Sequence, residues 1–360
     1  MAYRYRNRRS ILYYSCCAAA ASFSFPSRVV TAFSSMSSSK SNSILGKTLV
    51  SVPDAIQLHS QQDVKFIDGT WWLDKSRNGR LDFENGPRIA NARYLDIDDI
   101  SSKHPENLPH MMPDAKLQSS AMAAMGIGNS NNDHQHLIVY GAQDCMFVTR
   151  AYQQLRTTGH PKEYCHLLDG SLQEWMELNG PIEAKGSTPS YPVLDASSLE
   201  QNDNDEYSYQ ATEPLNVVGI DELWKMIDDG KTMSSDNPEV LIVDARSQGR
   251  FVGTAPEPRP GLRGGHMPGA TSLPIIDLLD PDNKVRFKPK AQLQEILRQK
   301  GILPLNKDQR IVSTCGSGVT ACALLAALDI VGEDGTKAVD LYDGAWVQWG
   351  GRSDTPIVKD

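Results

Sequence analysis

The sequence predicts an α/β protein made of two tandem copies of one domain, each a mainly parallel sheet flanked by helices. Three observations predict it. Four short blocks recur in the same order at a nearly constant spacing. The apolar runs among them are short, continuous and β-rich, as in strands covered on both faces. Segments of helical composition lie between the runs, so strands and helices alternate.

Taken in chain order, Val64-Lys65-Phe66-Ile67-Asp68 matches Val240-Leu241-Ile242-Val243-Asp244 at an offset of 176, and each run ends in Asp. Arg88-Ile89-Ala90-Asn91-Ala92 matches His266-Met267-Pro268-Gly269-Ala270 at 178. His136-Leu137-Ile138-Val139-Tyr140 matches Arg310-Ile311-Val312-Ser313-Thr314 at 174. Asp169-Gly170-Ser171-Leu172-Gln173-Glu174-Trp175 matches Asp343-Gly344-Ala345-Trp346-Val347-Gln348-Trp349, again at 174. Helices are expected at Ala115–Met125, Phe147–Thr157, Ile220–Asp228, Lys290–Lys300 and Val319–Leu328. The expected division is a targeting segment at 1–45, a first copy at 46–183, a linker at 184–213 and a second copy at 214–360. The linker is rich in Ser, Pro, Asn and Asp, and its run Asn202-Asp203-Asn204-Asp205-Glu206 reads as solvated acid rather than as a metal site.

The formal net charge is −8, but residues 1–53 carry seven cations and no acid. Without that stretch the charge falls to −15, which argues against nucleic acid as the main partner. No apolar run is long enough to span a membrane. The Arg-, Ser- and Ala-rich start has the composition of an organelle transit peptide. It points to the mitochondrion, with the plastid as alternative and Met36 as the start of a shorter cytoplasmic form. The apolar stretch Ile11–Phe25 leaves a secretory signal open.

Six cysteines are present: Cys16, Cys17, Cys145, Cys165, Cys315 and Cys322. No Cys-x-x-Cys pair exists, so a zinc site is not expected, and a chain this long with so few cysteines is not built on a disulfide framework. Cys145, Cys165 and Cys322 read as small apolar residues. Cys315 differs. It follows an apolar strand directly and is followed by Gly316, Ser317 and Gly318, whereas the first copy has Gly141 at that place. Gly316, Gly318, Val319 and Thr320 can therefore form a cradle of N–H groups. A helix starting near Val319 would add the positive end of its dipole. Such a cradle favours an anion on sulfur and lowers a thiol pKa below the free value of about 8.5. The sixth residue after Cys315 is Ala321, not the arginine that a cysteine phosphatase needs, so phosphoryl chemistry is disfavoured.

These residues resemble the tandem rhodanese family over about Leu49 to Val358. His266-Met267-Pro268-Gly269-Ala270 resembles its early signature. Val339-Asp340-Leu341-Tyr342-Asp343-Gly344-Ala345-Trp346 resembles its closing one, although Gln348 stands where Glu is usual. The loop from Cys315 to Ala321 is similar to the 3-mercaptopyruvate sulfurtransferase branch. The thiosulfate-preferring branch has basic residues where Gly316 and Ser317 stand. The resemblance implies that Arg250 and Arg259 bind the substrate carboxylate, as a guanidinium fork suits a 2-keto acid. It also implies a relay of Asp98, His110 and Ser317 built from both copies. His266 and Arg246 read as structural. A sulfur carried as a Cys315 persulfide then passes to a thiol such as reduced thioredoxin, or to cyanide, with no metal or organic cofactor and with the chain as a monomer. Two rivals remain open: a thiosulfate:cyanide sulfurtransferase, and a persulfide relay loaded by another enzyme.

Overall fold

In the computed structural model, residues 41–129, 134–200, 208–233 and 238–360 are described. Most of the targeting segment, with Cys16, Cys17 and Met36, and the acidic run at 202–206 lie outside the described residues. Two five-stranded sheets carry the fold. The first contains β1 (Leu49–Ser51), β2 (Val64–Asp68), β4 (Arg93–Tyr94), β5 (His136–Tyr140) and β6 (Cys165–Asp169), with β3 (Arg88–Ile89) outside it. Its order is β1-β6-β5-β2-β4. The second contains β8 (Val217–Val218), β9 (Val240–Asp244), β10 (Ala270–Ser272), β11 (Arg310–Thr314) and β12 (Val339–Tyr342), while β7 (Ile182–Glu183) pairs with β3. Its order, β8-β12-β11-β9-β10, repeats the first strand for strand, and every pairing in both sheets is parallel.

Register makes the repeat quantitative. Asp68 lies opposite Tyr140, and Asp244 lies opposite Thr314. The next residues, Gly141 and Cys315, are therefore structural counterparts. Each carbonyl accepts a bond from the N-terminal turn of the closing helix: Leu172 N–H to Gly141 O at 3.0 Å and Trp346 N–H to Cys315 O at 2.9 Å. The early signatures correspond as well. Arg88 pairs antiparallel with Glu183, and His266 bridges antiparallel to Val358. Buried Arg88 donates from Nε to Glu183 at 2.7 Å and from Nη1 to Phe83 O, so where the second copy has His266 the first holds a satisfied ion pair.

Two equivalent helices, Thr149–Thr157 and Cys322–Val331, pack against each other between the sheets. Both are buried along nearly their whole length. A helix polar on every face is tolerated inside only if its groups find partners. Tyr152 donates to Asp329 at 2.9 Å, and Arg156 pairs with Asp334 at 3.0 Å. The described parts of the segment joining the copies are packed rather than loose. Leu194, Leu199 and Tyr209 are buried, and Tyr191 lies under the Arg93 guanidinium at 3.6 Å.

At the end of the first sheet remote from Cys315, three buried histidines are bonded as neutral rings. His136 Nδ1 lies 2.9 Å from His166 Nε2, and His166 Nδ1 donates to Lys47 O at 2.5 Å. His160 bridges Tyr209 and Gln135. Burial pushes His160 down to about 3 and His166 down to about 4, and lowers His136 against the pull of Asp63. Unfolded imidazole titrates near 6.5. Stability from these rings is thus complete above pH 6.5 and is lost as pH falls toward 4. His160 and His166 each cost about 1.4 kcal/mol per pH unit in that window. Asp68, pushed up to about 6 by burial, works the opposite way and offsets part of it. The melting temperature should fall steadily from pH 6.5 to pH 5; a flat profile over that range would contradict this assignment.

Candidate active site

The strand β11 delivers Cys315 to the carboxyl end of the second sheet, where ligands of open α/β sheets bind. The loop beyond it is fixed by specific contacts. Val347 N–H donates to Gly316 O at 2.9 Å, alongside the Trp346 bond to Cys315 O. Gly318 has φ +77°, a conformation that favours glycine, and a Cβ there would meet Asp343 Oδ1 at 2.8 Å. Gly316 leaves room for a guanidinium: a Cβ there would lie 2.8 Å from Arg250 Nη2, so a side chain would displace that arm. The helix after the loop starts at Cys322, three residues later than expected, because a tight turn spans residues 319–321 first. Ala321 offers no capping side chain to mark the boundary.

Cys315 is buried with Met112, Ala245, Ala321, Cys322 and Leu341. The other described thiols are held protonated. Burial pushes Cys145 up to about 11, and Cys165 and Cys322 up to about 12. In the first copy no side chain could replace Gly141, since a Cβ would meet Val148 at 2.3 Å. The first copy's equivalent site is therefore filled.

Cys315 faces a cleft of about 40 Å³ between the copies. The second copy supplies Arg250, Arg259, Gly316, Ser317, Val319 and Thr320 to its lining. The first copy supplies Trp71, Leu73 and Phe147, which sequence reasoning missed because only the packing of the copies places them. Arg250 is held by buried Glu257, its Nε and Nη2 donating to Oε2 at 3.1 and 2.5 Å. The other Glu257 oxygen accepts from Arg246 at 2.8 Å. An acid between two prolines beside Arg259 was the available signal for Glu257. Arg246 also chelates Asp244, donates to Gly265 O and stacks on Trp346, a structural role as expected. His266 likewise bonds Phe251 O at 3.0 Å.

Arg259 is less basic than usual. Burial lowers it first and Arg250 adds to this, against the pull of Cys315, Asp98 and Glu257. Its Nη2 meets His110 Nε2 at 3.3 Å. His110, buried at φ +59°, places Nδ1 2.6 Å from Asp98 Oδ1, a close contact off the line of a well-aligned hydrogen bond. Burial lowers the His110 pKa, and Arg150 and Arg259 add to this against Asp98. The ring is neutral at pH 7, with Nδ1 protonated toward Asp98 and Nε2 accepting from Arg259. Burial pushes Asp98 up, but His110 and the Trp71 indole N–H, 3.0 Å away, outweigh it and leave its pKa low. The structure thus joins Asp98 to His110 but not His110 to Ser317. Among the described residues no hydrogen bond links those two, because Nε2 is turned to Arg259.

One more residue of the first copy reaches the loop. Buried Arg150 donates from Nη1 to Asp343 Oδ1 at 2.7 Å and to Gly318 O at 3.2 Å, and from Nη2 to His110 O. Asp343 also accepts from Met112 N–H. Nothing in the sequence singled out Arg150.

Residues 220–352 match the Rhodanese-like domain family. The chain is 31% identical over 301 residues to thiosulfate/3-mercaptopyruvate sulfurtransferase 1, mitochondrial, of Arabidopsis thaliana, covering 82% of this chain and 74% of the relative. It is 32% identical over 283 residues to 3-mercaptopyruvate sulfurtransferase of Escherichia coli, covering 79% and 87%. The crystal structure of Tum1 protein from Saccharomyces cerevisiae superposes with a TM-score of 0.68 at 28% identity, covering 87% of this chain and 98% of that one.

Proposed function

Since this chain belongs to the rhodanese family of sulfurtransferases, we propose that its donor is 3-mercaptopyruvate and that the sulfur is carried as a persulfide on Cys315. The observation that carries this reading is the convergence of Cys315, Arg250 and Arg259 on one small cleft. Arg250 and Arg259 bind the carboxylate and keto oxygen of the donor. The Cys315 thiolate attacks the donor sulfur, the carbon–sulfur bond breaks, and its electron pair leaves on pyruvate enolate, which then takes a proton at carbon. An acceptor thiolate, such as that of reduced thioredoxin, or cyanide then attacks the outer sulfur, and Cys315 departs as thiolate.

His110 serves here as a positioning residue for Arg259, held by Asp98, in place of the proton relay through Ser317 that the family resemblance implies. Ser317 adds a neutral hydroxyl to the lining of the Cys315 cleft. The acid-free start of the chain and the mitochondrial relative in Arabidopsis support action in the mitochondrion.

A second reading has a specific observation behind it. Although Gly316 and Ser317 are neutral, the Arg250 guanidinium packs directly on Gly316. A dianion such as thiosulfate would therefore still meet two cations near the sulfur. Mass spectrometry of the enzyme after treatment with each donor tests both readings. A gain of about 32 Da on Cys315, one sulfur atom, is expected with 3-mercaptopyruvate, at a higher specificity constant than with thiosulfate. No gain at Cys315 with either donor would refute the persulfide, and the reverse ranking would make thiosulfate the donor.

A further inference from the structure

The cleft over Cys315 encloses about 40 Å³, room on the order of three waters. The reacting end of a keto acid or cyanide suits that space; the body of a thiol acceptor does not. A second cavity of about 290 Å³ shares the Trp71 wall with this cleft, close to the smallest usual volume of small-molecule pockets, about 300 Å³. We propose that this second cavity seats the carboxylate-bearing end of a small thiol acceptor, with Lys75 and Arg77 taking the carboxylate and Trp71 leading the thiol toward Cys315. This rests on the Cys315 persulfide proposed above.

The cavity lies beyond the carboxyl end of β2, at the loop that carries Trp71, Trp72, Lys75 and Arg77. Its charges are sorted. Arg80 engages both Asp96, at 3.2 Å, and Asp99. Asp98 is held by His110 and the Trp71 indole, with Lys75 adding a weaker pull from further off. Lys75 and Arg77 are exposed, and among the described residues neither has a carboxylate within 4.0 Å. Arg77 is nonetheless pre-placed. Its guanidinium stacks on the Trp72 ring at 3.2 Å, and the Trp72 N–H is fixed by Asp82 at 2.8 Å. A stacked guanidinium loses little freedom when it binds a carboxylate. Trp71 is itself locked, edge-on to His110 at 4.9 Å and to Phe147 at 5.1 Å. An acceptor two or three residues long spans roughly 7–10 Å, enough to reach past one indole. In the step itself the acceptor thiolate attacks the outer sulfur, a new sulfur–sulfur bond forms, and the bond to Cys315 breaks with the electron pair returning to its thiolate.

The test uses full-length enzyme loaded with persulfide, the loading verified by mass. It is reacted with the tripeptide Cys-Gly-Gly and with its C-terminal amide, thiols of equal length that differ in the terminal carboxylate, and with cyanide, all compared per reactive anion. Wild type should favour the free acid over the amide. The double variant Lys75→Gln/Arg77→Gln should lose roughly three- to tenfold of its rate constant with the free acid, as expected for two partly exposed charge contacts. The amide, cyanide and the loading step should stay within about twofold, below what one such contact contributes. An unchanged rate with the free acid, or an equal loss with all three acceptors, would overturn the subsite. Failure of wild type to load would instead refute the persulfide and remove the subsite with it.

Discussion

Cys315→Ser should lower turnover with every sulfur donor by at least about a thousandfold, the scale of losing a covalent nucleophile. A serine hydroxyl stays protonated where a thiol ionises, and oxygen cannot hold the transferred sulfur as a persulfide. The fold should survive. The side chains differ by one atom, and the position is a small buried cluster with Met112, Ala245, Ala321, Cys322 and Leu341. Burying a hydroxyl there should cost about 1–3 kcal/mol at most. Cys322→Ser is the matched control, seven residues on, with burial holding the native thiol up to about 12. It should keep turnover within a few-fold of wild type. Steady-state turnover, a melting curve and intact mass on both variants decide the matter. Residual persulfide on Cys315→Ser would move the nucleophile elsewhere; a comparable loss in Cys322→Ser would make the loop, rather than Cys315, responsible.

The fold was legible because its evidence is local and repeated. Four strands or strand ends recur with their flanking residues, and the parallel pairing follows from apolar runs too short and too evenly apolar to face water. Cys315 was legible because its loop is continuous in sequence and its counterpart Gly141 is not a cysteine. What escaped depends on how the copies face each other. Trp71 and Phe147 look like core aromatics in sequence, yet they wall the cleft. The direction of the His110 ring is set by a positive φ and by Arg259, 149 residues away; no periodicity or spacing encodes that. The helix start was misplaced because Ala321 replaces the usual capping residue. Arg150 sits in a stretch, Thr149 to Arg156, whose polar composition suggests a solvated helix. It is buried because a second copy of the same helix covers it.

Arg150→Met should be the most destabilising single change near the site. The arginine is 1% exposed and its partner Asp343 is 1% exposed. Removing the cation leaves a buried carboxylate with the Met112 N–H, strips His110 O of the Arg150 donor, and leaves Gly318 O to the weak Cys322 thiol donor. Breaking one side of a buried ion pair costs about 3–5 kcal/mol, more than the pair contributes over an apolar replacement. For a chain this size that corresponds to a fall in melting temperature of roughly 4–8 °C. The same change frees the loop at Gly318 and the backbone of His110, the residue that holds Arg259. Turnover should therefore drop beyond what the unfolded fraction explains, with the KM for the donor rising. Arg150→Met/Asp343→Asn separates the two effects. Neutralising the stranded carboxylate should restore at least about 1 kcal/mol of stability, the coupling expected of residues in contact. It should not restore donor KM, because His110 O and Gly318 O still lack Arg150. Recovery of both together would mean that Arg150 acts on the site only through stability; recovery of neither would mean that Asp343 is not its electrostatic partner.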